Sequence, residues 1–341
     1  MRKNTIAWLL LGAALAAGCA KERANTDNAD NKTFIEAWLK SRYPGVGASG
    51  IGIYILDDKP GTGAAYNGED YIYAEYTSRD LDGNIMSTTD RKVSQQIGTY
   101  QPSYFYGPAV IHSGDQSLQA GLEEMIKGMK AGGTRTALIP NWLQTYNRYG
   151  NADLYLKKVN AGDNVHAIYT ITLKQIIGNE ETWELDSLNR YLAVNAPDAV
   201  AVKGEEGLFY RQITPPTDTT SFPKDTTIYI NYIGRLLNGQ VFDTTIKDTA
   251  RVHQIYSSSK SYTPVAISWA EEPAGIKMGS NRSDVIEGFY KTLYQMRTFE
   301  KGAGYFVSSK GYSSTGSGNS IPAYSPLIFE VEIVEKPSTV L

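Results

Sequence analysis

The feature that most constrains this chain is that it is written twice. A strongly alternating stretch, YIYAEYT at 71–77, returns as TIYINYI at 227–233, with Tyr76 and Tyr232 in register 156 residues apart. Period-two alternation of this kind marks a strand with one buried face. A glycine-led apolar run precedes each copy, at 52–56 and 207–210. Each copy then enters a turn, Leu81-Asp82-Gly83-Asn84 or Leu237-Asn238-Gly239-Gln240, whose Asp-Gly or Asn-Gly pair favours a hairpin. Helical spacing opens both copies, through Phe34, Trp38 and Leu39 and through Leu185, Leu188, Tyr191 and Leu192. It recurs later, with Leu118, Leu122, Met125, Ile126 and Met129 on one side and Ile286, Phe289, Tyr290 and Leu293 on the other. Each copy closes with another alternating strand, at 165–171 and 327–333. The expected fold class is α+β: two tandem units, each a curled antiparallel β-sheet wrapped over a short α-helix. The first unit is assigned to 46–178 and the second to 179–336, with a short tail at 337–341.

Composition excludes several classes of protein. With 41% hydrophobic residues and 24 tyrosines in 341 positions, the chain can build packed cores. A formal net charge of −3 gives no basic surface for nucleic acid. The single cysteine rules out an intrachain disulfide. His112, His166 and His253 stand apart from cysteine and from any acidic cluster, so neither a metal nor another cofactor is expected.

The N-terminus has the pattern of a secretory signal over 1–18: Arg2 and Lys3, then a run without charge from Thr5 to Gly18. That run is shorter than the ~20 residues of a membrane-spanning helix. Small residues then lead directly into Cys19, which resembles the bacterial lipoprotein box, although Ala16 occupies the position usually held by leucine. The resemblance implies acylation at Cys19 and anchoring to a membrane of the bacterial envelope, the outer membrane being favoured. Losing the signal takes the formal charge from −3 to −5. Residues 19–45 are read as a lipidated tether with a short helix, because 20–31 are polar and rich in Asn and Asp.

Within the second copy, NYIGRLLNGQVFDTT (231–245), VIEGFYKTLYQM (285–296), GYSSTGSGNSIP (311–322) and LIFEVEIVE (327–335) resemble the FKBP-type peptidyl-prolyl cis-trans isomerases in order and spacing. That family curls a sheet around one helix and holds a prolyl ring in an aromatic pocket between them. Carried over by position, the resemblance implies Tyr232, Phe242, Asp243, Ile286 and Tyr312 as catalytic residues. Val285, Phe289, Ile321 and Phe329 are implied as substrate-binding. Phe289 stands where the family prefers Trp, Asp248 where it often has Arg, and Ala323 at the second residue of a usual Pro pair. The run from Asp243 to Val285 is roughly twice as long as in compact members.

The first copy departs further. Its counterparts are Met86-Ser87 for Phe-Asp, Leu118-Gln119 for Val-Ile, Leu122 for the helix floor and Gln144 for the pocket tyrosine. Tyr76 and Tyr169 keep aromatics. The first unit is therefore expected to have the fold without the active pocket.

The function implied is prolyl isomerisation assisting the folding of exported proteins, with proline-containing polypeptides as partners and macrolide inhibitors as competitors for the pocket. The alternative is a non-catalytic FKBP-like chaperone or a binding subunit of an outer-membrane assembly. Tyrosine abundance alone is weak support for glycan binding, because alternating tyrosines on strands usually pack.

Overall fold

The structure is a computed structural model and describes residues 26–337, apart from 69–70, 113–117 and 163. The signal and Cys19 lie outside the described residues. The first half contains α1 (Thr26–Arg42), β1 (Tyr54–Lys59), β2 (Thr62–Ala65), β3 (Tyr71–Arg79), β4 (Ile85–Thr88), α2 (Arg91–Gln96), β5 (Ala109–His112), α3 (Ala120–Ile126), β6 (Lys130–Ala131), β7 (Thr134–Ile139), α4 (Ala152–Lys158) and β8 (Ala167–Ile177). The second half contains α5 (Glu180–Asn195), β9 (Val200–Ala201), β10 (Leu208–Thr214), β11 (Thr227–Leu236), β12 (Val241–Thr244), α6 (Lys247–Val252), β13 (Val265–Ser268), β14 (Lys277–Met278), α7 (Glu287–Gln295), β15 (Lys301–Phe306) and β16 (Leu327–Val334).

Strand pairing exposes the duplication directly. The first sheet runs β1-β7-β8-β3-β4, with β5 on β3; the second contains β10-β15-β16-β11, with β12 and β13 on β11. Every pairing is antiparallel. Alternation along β11 turns Ile228, Ile230 and Tyr232 inward, where α7 covers them with Phe289 and Leu293. In the first half Ile72 and Ala74 face inward to a core shared with Met125 and Ile126 of α3. The hairpin turns close as the Asp-Gly and Asn-Gly pairs require, with Gly83 at φ 93° and Gly239 at φ 85°.

The N-terminal helix corrects two expectations. It begins at Thr26, so the latter part of the 20–31 stretch is helical rather than tether. Its buried apolar residues are Ile35 and Leu39, both in the first core, whereas Phe34 is 55% exposed. Asn28 pins the helix down by donating through Nδ2 to the carbonyls of Leu156 and Val159. α5 is fastened to the second sheet, where Leu188 and Leu192 pack on Ala303, Tyr305 and Ile328. Buried Glu184 on α5 accepts from the N–H and hydroxyl of Ser308, and burial holds its carboxyl above the usual range.

The halves also touch directly. The Phe105 N–H donates to the carbonyl of Asn319, and the Gln240 side chain donates to the carbonyl of Tyr104. The Phe105 ring packs against the second core. No helix among the described residues is long and apolar enough to cross a membrane.

Candidate active site

The second site is assembled by one bulge, one helix start and two loops. In the β11–β12 pairing, Gly234 faces Asp243 and Arg235 faces Val241, which leaves Phe242 as the extra residue. A bulge re-aims the side chains beside it, and here it directs Phe242 and Asp243 toward the same region. Phe242 can close against Phe329, centroid to centroid 5.6 Å, because Gly234 lies underneath. A Cβ at Gly234 would sit 2.5 Å from the Phe242 ring and 3.1 Å from Phe329.

Phe329 is the hub. Its ring meets Phe289 at 4.9 Å edge to face, Tyr232 at 6.0 Å, and Phe306 at 5.9 Å in a stacked arrangement. Such edge and offset contacts are favourable beyond the area they bury. The α7 helix can approach so closely because of Gly288, whose missing Cβ would lie 2.3 Å from Phe306. Tyr232, Phe289, Ile321 and Phe329 are buried, while Phe242, Val285, Ile286 and Tyr312 pack around them half-buried. Phe306 belongs to this box and was not among the residues picked out from sequence. Its signal is the GAGYF run, where glycines at 302 and 304 let neighbouring side chains approach the strand.

Asp243 sits at the edge, its side chain 40% exposed. The Tyr232 hydroxyl donates to its Oδ2 at 2.6 Å, and the Thr244 N–H donates to Oδ1 at 2.9 Å. Burial, reinforced by the Asp243 charge, holds the Tyr232 hydroxyl above its ordinary value, so it remains a donor. Burial and Asp243 also raise Tyr312. Lys260 supplies a cation that sequence did not identify: its ammonium donates to Asp243 Oδ1. Asp248, where the family often carries Arg, pairs instead with Arg251 on α6. Lys260 comes from the long segment between Asp243 and Val285 and is flanked by the stacked rings of Tyr256 and Tyr262, 5.3 Å apart. At the helix start, Ile286 caps α7 with an extended backbone, its carbonyl accepting from Phe289 and Tyr290. The Ile286 N–H has no hydrogen-bond partner among the described residues and is free for a ligand.

The nine residues carried over from the family thus converge on one box. In the first unit, the backbone is copied and the chemistry is not. Met86 is the bulged residue and is 48% exposed. Tyr76 shares a hydrogen bond with Ser87 at 3.2 Å instead of with a carboxylate. The assignment of Gln144 as counterpart of the pocket tyrosine is corrected: its amide donates to the carbonyl of Val165, and Tyr146 lines the cavity. A 3₁₀ turn precedes the loop in both units, at Asn141–Leu143 and at Ser308–Lys310, and the lining tyrosine of the first unit stands two positions beyond Gln144.

An antiparallel sheet curled over one short helix, with an aromatic box between them, defines a class of fold and site rather than a protein. Residues 219–334 match the family model described as FKBP-type peptidyl-prolyl cis-trans isomerase, and the second unit is a domain of that family. Among similar proteins, the macrophage infectivity potentiator of Trypanosoma cruzi is 25% identical over 172 residues, covering 48% of this chain and 74% of its own length. The FKBP-type 22 kDa peptidyl-prolyl cis-trans isomerase of Escherichia coli is 28% identical over 146 residues, 43% of this chain and 58% of that one. The FK506-binding protein 1A of Aspergillus fumigatus is 28% identical over 125 residues, covering 36% and 90%.

Proposed function

We propose that the second unit catalyses cis–trans isomerisation of Xaa-Pro bonds in exported polypeptides, while lipid on Cys19 holds the chain at a membrane of the bacterial envelope. The carrying observation is the apolar aromatic box around Phe329, with a hydrogen-bonded carboxylate at its edge. Twisting the C–N bond must overcome ~18–20 kcal/mol of lost resonance, and the uncatalysed flip takes tens to hundreds of seconds. No nucleophile or proton transfer is needed; the site must bind the twisted amide better than the planar one. Phe242, Phe289, Phe329, Val285 and Ile321 hold the prolyl ring away from water, where a twisted amide with less charge separation loses less solvation. The Ile286 N–H and the Tyr312 hydroxyl donate to substrate carbonyls. Asp243, fixed by Tyr232 and Lys260, faces the rotating carbonyl from the rim.

Proline-limited refolding of a reporter protein, with the full chain carrying Cys19→Ser, tests catalysis. Acceleration that a macrolide of the family-inhibiting kind suppresses supports it. Absence of acceleration across several Xaa-Pro substrates, with binding of unfolded chains retained, would transfer the role to a non-catalytic binding module. Fatty-acid labelling of wild type against Cys19→Ser tests the anchor, and equal labelling of the two would refute it.

A further inference from the structure

The duplication extends beyond strands and helices to one loop, built twice as an arm. In the first unit the arm is the 97–107 segment after α2; in the second it is the 253–263 segment after α6. The rings of Tyr100 and Tyr106 stand 5.3 Å apart, and so do those of Tyr256 and Tyr262, 156 residues further on. The Gln101 N–H donates to the Tyr106 hydroxyl at 3.0 Å, and the Ser257 N–H to the Tyr262 hydroxyl at 2.9 Å. Arg91 lies over the Tyr100 ring and Lys247 over that of Tyr256. Bonds from Thr99 N–H to the Ser94 carbonyl, and from Ile255 N–H to the Ala250 carbonyl, tie each arm to its own helix. Paired rings, a cation and backbone bonds thus fix each tip relative to its unit.

The two tips reach the same site from different units. In the second arm the tip is Lys260, whose ammonium donates to Asp243 at the edge of the aromatic box. Tyr104 holds the matching position in the first arm, and there the tip crosses to the second unit. The Phe105 N–H donates to the Asn319 carbonyl at 2.7 Å, and the Phe105 ring packs against the second core. The Tyr104 carbonyl accepts from the Gln240 side chain at 3.2 Å, beside the strand that carries Phe242 and Asp243. Asn319 lies in a tight turn, closed by Ser317 and Ile321 exchanging N–H···O bonds of 2.8 and 3.1 Å, with Gly318 at φ 52°. Gly316 joins this turn to Tyr312 by donating to the Tyr312 carbonyl, and a Cβ on it would lie 2.3 Å from the Ile321 carbonyl oxygen. A hold on Asn319 is therefore passed to buried Ile321 on one side and to Tyr312 on the other. Asn319 itself is exposed, so without that hold the Gly- and Ser-rich turn gains conformational freedom.

We infer, on the isomerase reading of the second unit, that the first unit's arm completes that site: Phe105 is a positioning residue that acts through the 317–321 turn to hold Ile321 and Tyr312 where a prolyl residue is received. The unit that lacks an aromatic box of its own thereby takes part in the box of the other.

The test compares Phe105→Ala, Phe105→Leu and Leu122→Ala in the isotope-labelled full chain carrying Cys19→Ser, well below the melting temperature of each. Three quantities are read: the Ile321 methyl signals, the affinity for capped Ala-Ala-Pro-Ala-Ala, and KM and kcat for a chromogenic Xaa-Pro peptide. A turn in place only about a third to a tenth of the time weakens binding by about three- to tenfold. Phe105→Ala is therefore expected to displace the Ile321 signals and to raise KM and the peptide dissociation constant by that factor, with kcat near wild type. Phe105→Leu keeps apolar bulk at the tip and should restore most of the affinity. Leu122→Ala loosens the first core without touching the arm and should leave all three readouts as they are. Ile321 signals unmoved in Phe105→Ala, an unchanged KM, or an equal loss in Leu122→Ala would each overturn the inference. A wild type that fails to accelerate isomerisation would sink the proposed catalysis instead, and the Ile321 signals of Phe105→Ala would then decide the positioning by themselves.

Discussion

The two pockets share a scaffold and differ in what the scaffold presents. Each has a bulge on the short strand, a tyrosine two strand positions before the residue at which the register shifts, and a glycine in the first turn of the helix. Gly121 in α3 would place a Cβ 2.4 Å from Ile139, just as Gly288 would collide with Phe306. Aromatic rings fill the second box, whereas Met86, Leu122 and Ile139 stand at the equivalent places in the first. One residue accounts for part of this. Gly234 leaves room for Phe242, but buried Ser78 occupies the same register position in the first sheet, paired with Tyr169 as Gly234 is with Phe329. A ring at Met86 could not settle there as Phe242 does. The comparison teaches that strand pairing and helix approach set the fold, while a few side chains decide whether the same hollow grips a prolyl ring.

The largest expected effect comes from emptying the second box. Phe289 is 2% exposed and touches both Tyr232 and Phe329, so Phe289→Ala should cost ~3–5 kcal/mol of stability and most of the isomerase rate. Leu122→Ala at the matching, only half-buried position should cost less and leave the rate intact. Denaturant unfolding alongside activity checks both, and a rate that falls equally in the two variants would erase the functional distinction. Next comes Gly234→Ala, where the added methyl meets two rings. Overpacking of this kind costs about 1–3 kcal/mol, and Phe242 must move, so the rate should drop as well. Ser78→Ala adds no volume and should be nearly silent. Smaller again is Tyr312→Phe, which deletes one hydroxyl. Losing a hydrogen bond made in the transition state costs ~0.5–1.5 kcal/mol, about two- to thirteenfold in rate. Tyr146→Phe should leave the isomerase rate unchanged, and a matching loss there would show that the first unit turns over prolyl substrates.

Much of this was legible because alternation, turn chemistry and helical spacing are local. The 71–77 and 227–233 strands, both hairpin turns and the α7 face required no long-range knowledge. What escaped is contact between residues far apart in sequence. Phe34 has the right spacing for a buried face, but the direction from which α4 and the sheet approach α1 selected Ile35 and Leu39. Gln144 aligned by counting, yet its amide is spent on the Val165 carbonyl and the lining tyrosine is Tyr146. Phe105 packs against the second core from the first half, which no periodicity encodes. Lys260 lies 17 positions beyond its partner in a polar loop, among serines that give no hint of a fold.

Lys260 carries the smallest prediction. Asp243 at the rim is held on one side by a phenol and on the other by this ammonium, whereas the first unit has only a serine–tyrosine pair. Both ends of the ion pair are more than a third exposed, so solvent screens it and its worth lies within the ~0.2–1 kcal/mol of exposed pairs. Lys260→Met should therefore slow isomerisation by at most about fivefold, by letting Asp243 swing away from the carbonyl, and should leave the melting temperature almost unmoved. Lys260→Arg should restore the rate, since it replaces the cation without rebuilding the loop. Salt provides the independent readout: at ~1 M ionic strength the Debye length shrinks to ~3 Å, so the wild-type rate should fall toward that of Lys260→Met while the variant stays flat. A variant as fast as wild type, or one that keeps the wild-type salt response, would mean that the phenol of Tyr232 alone positions the carboxylate.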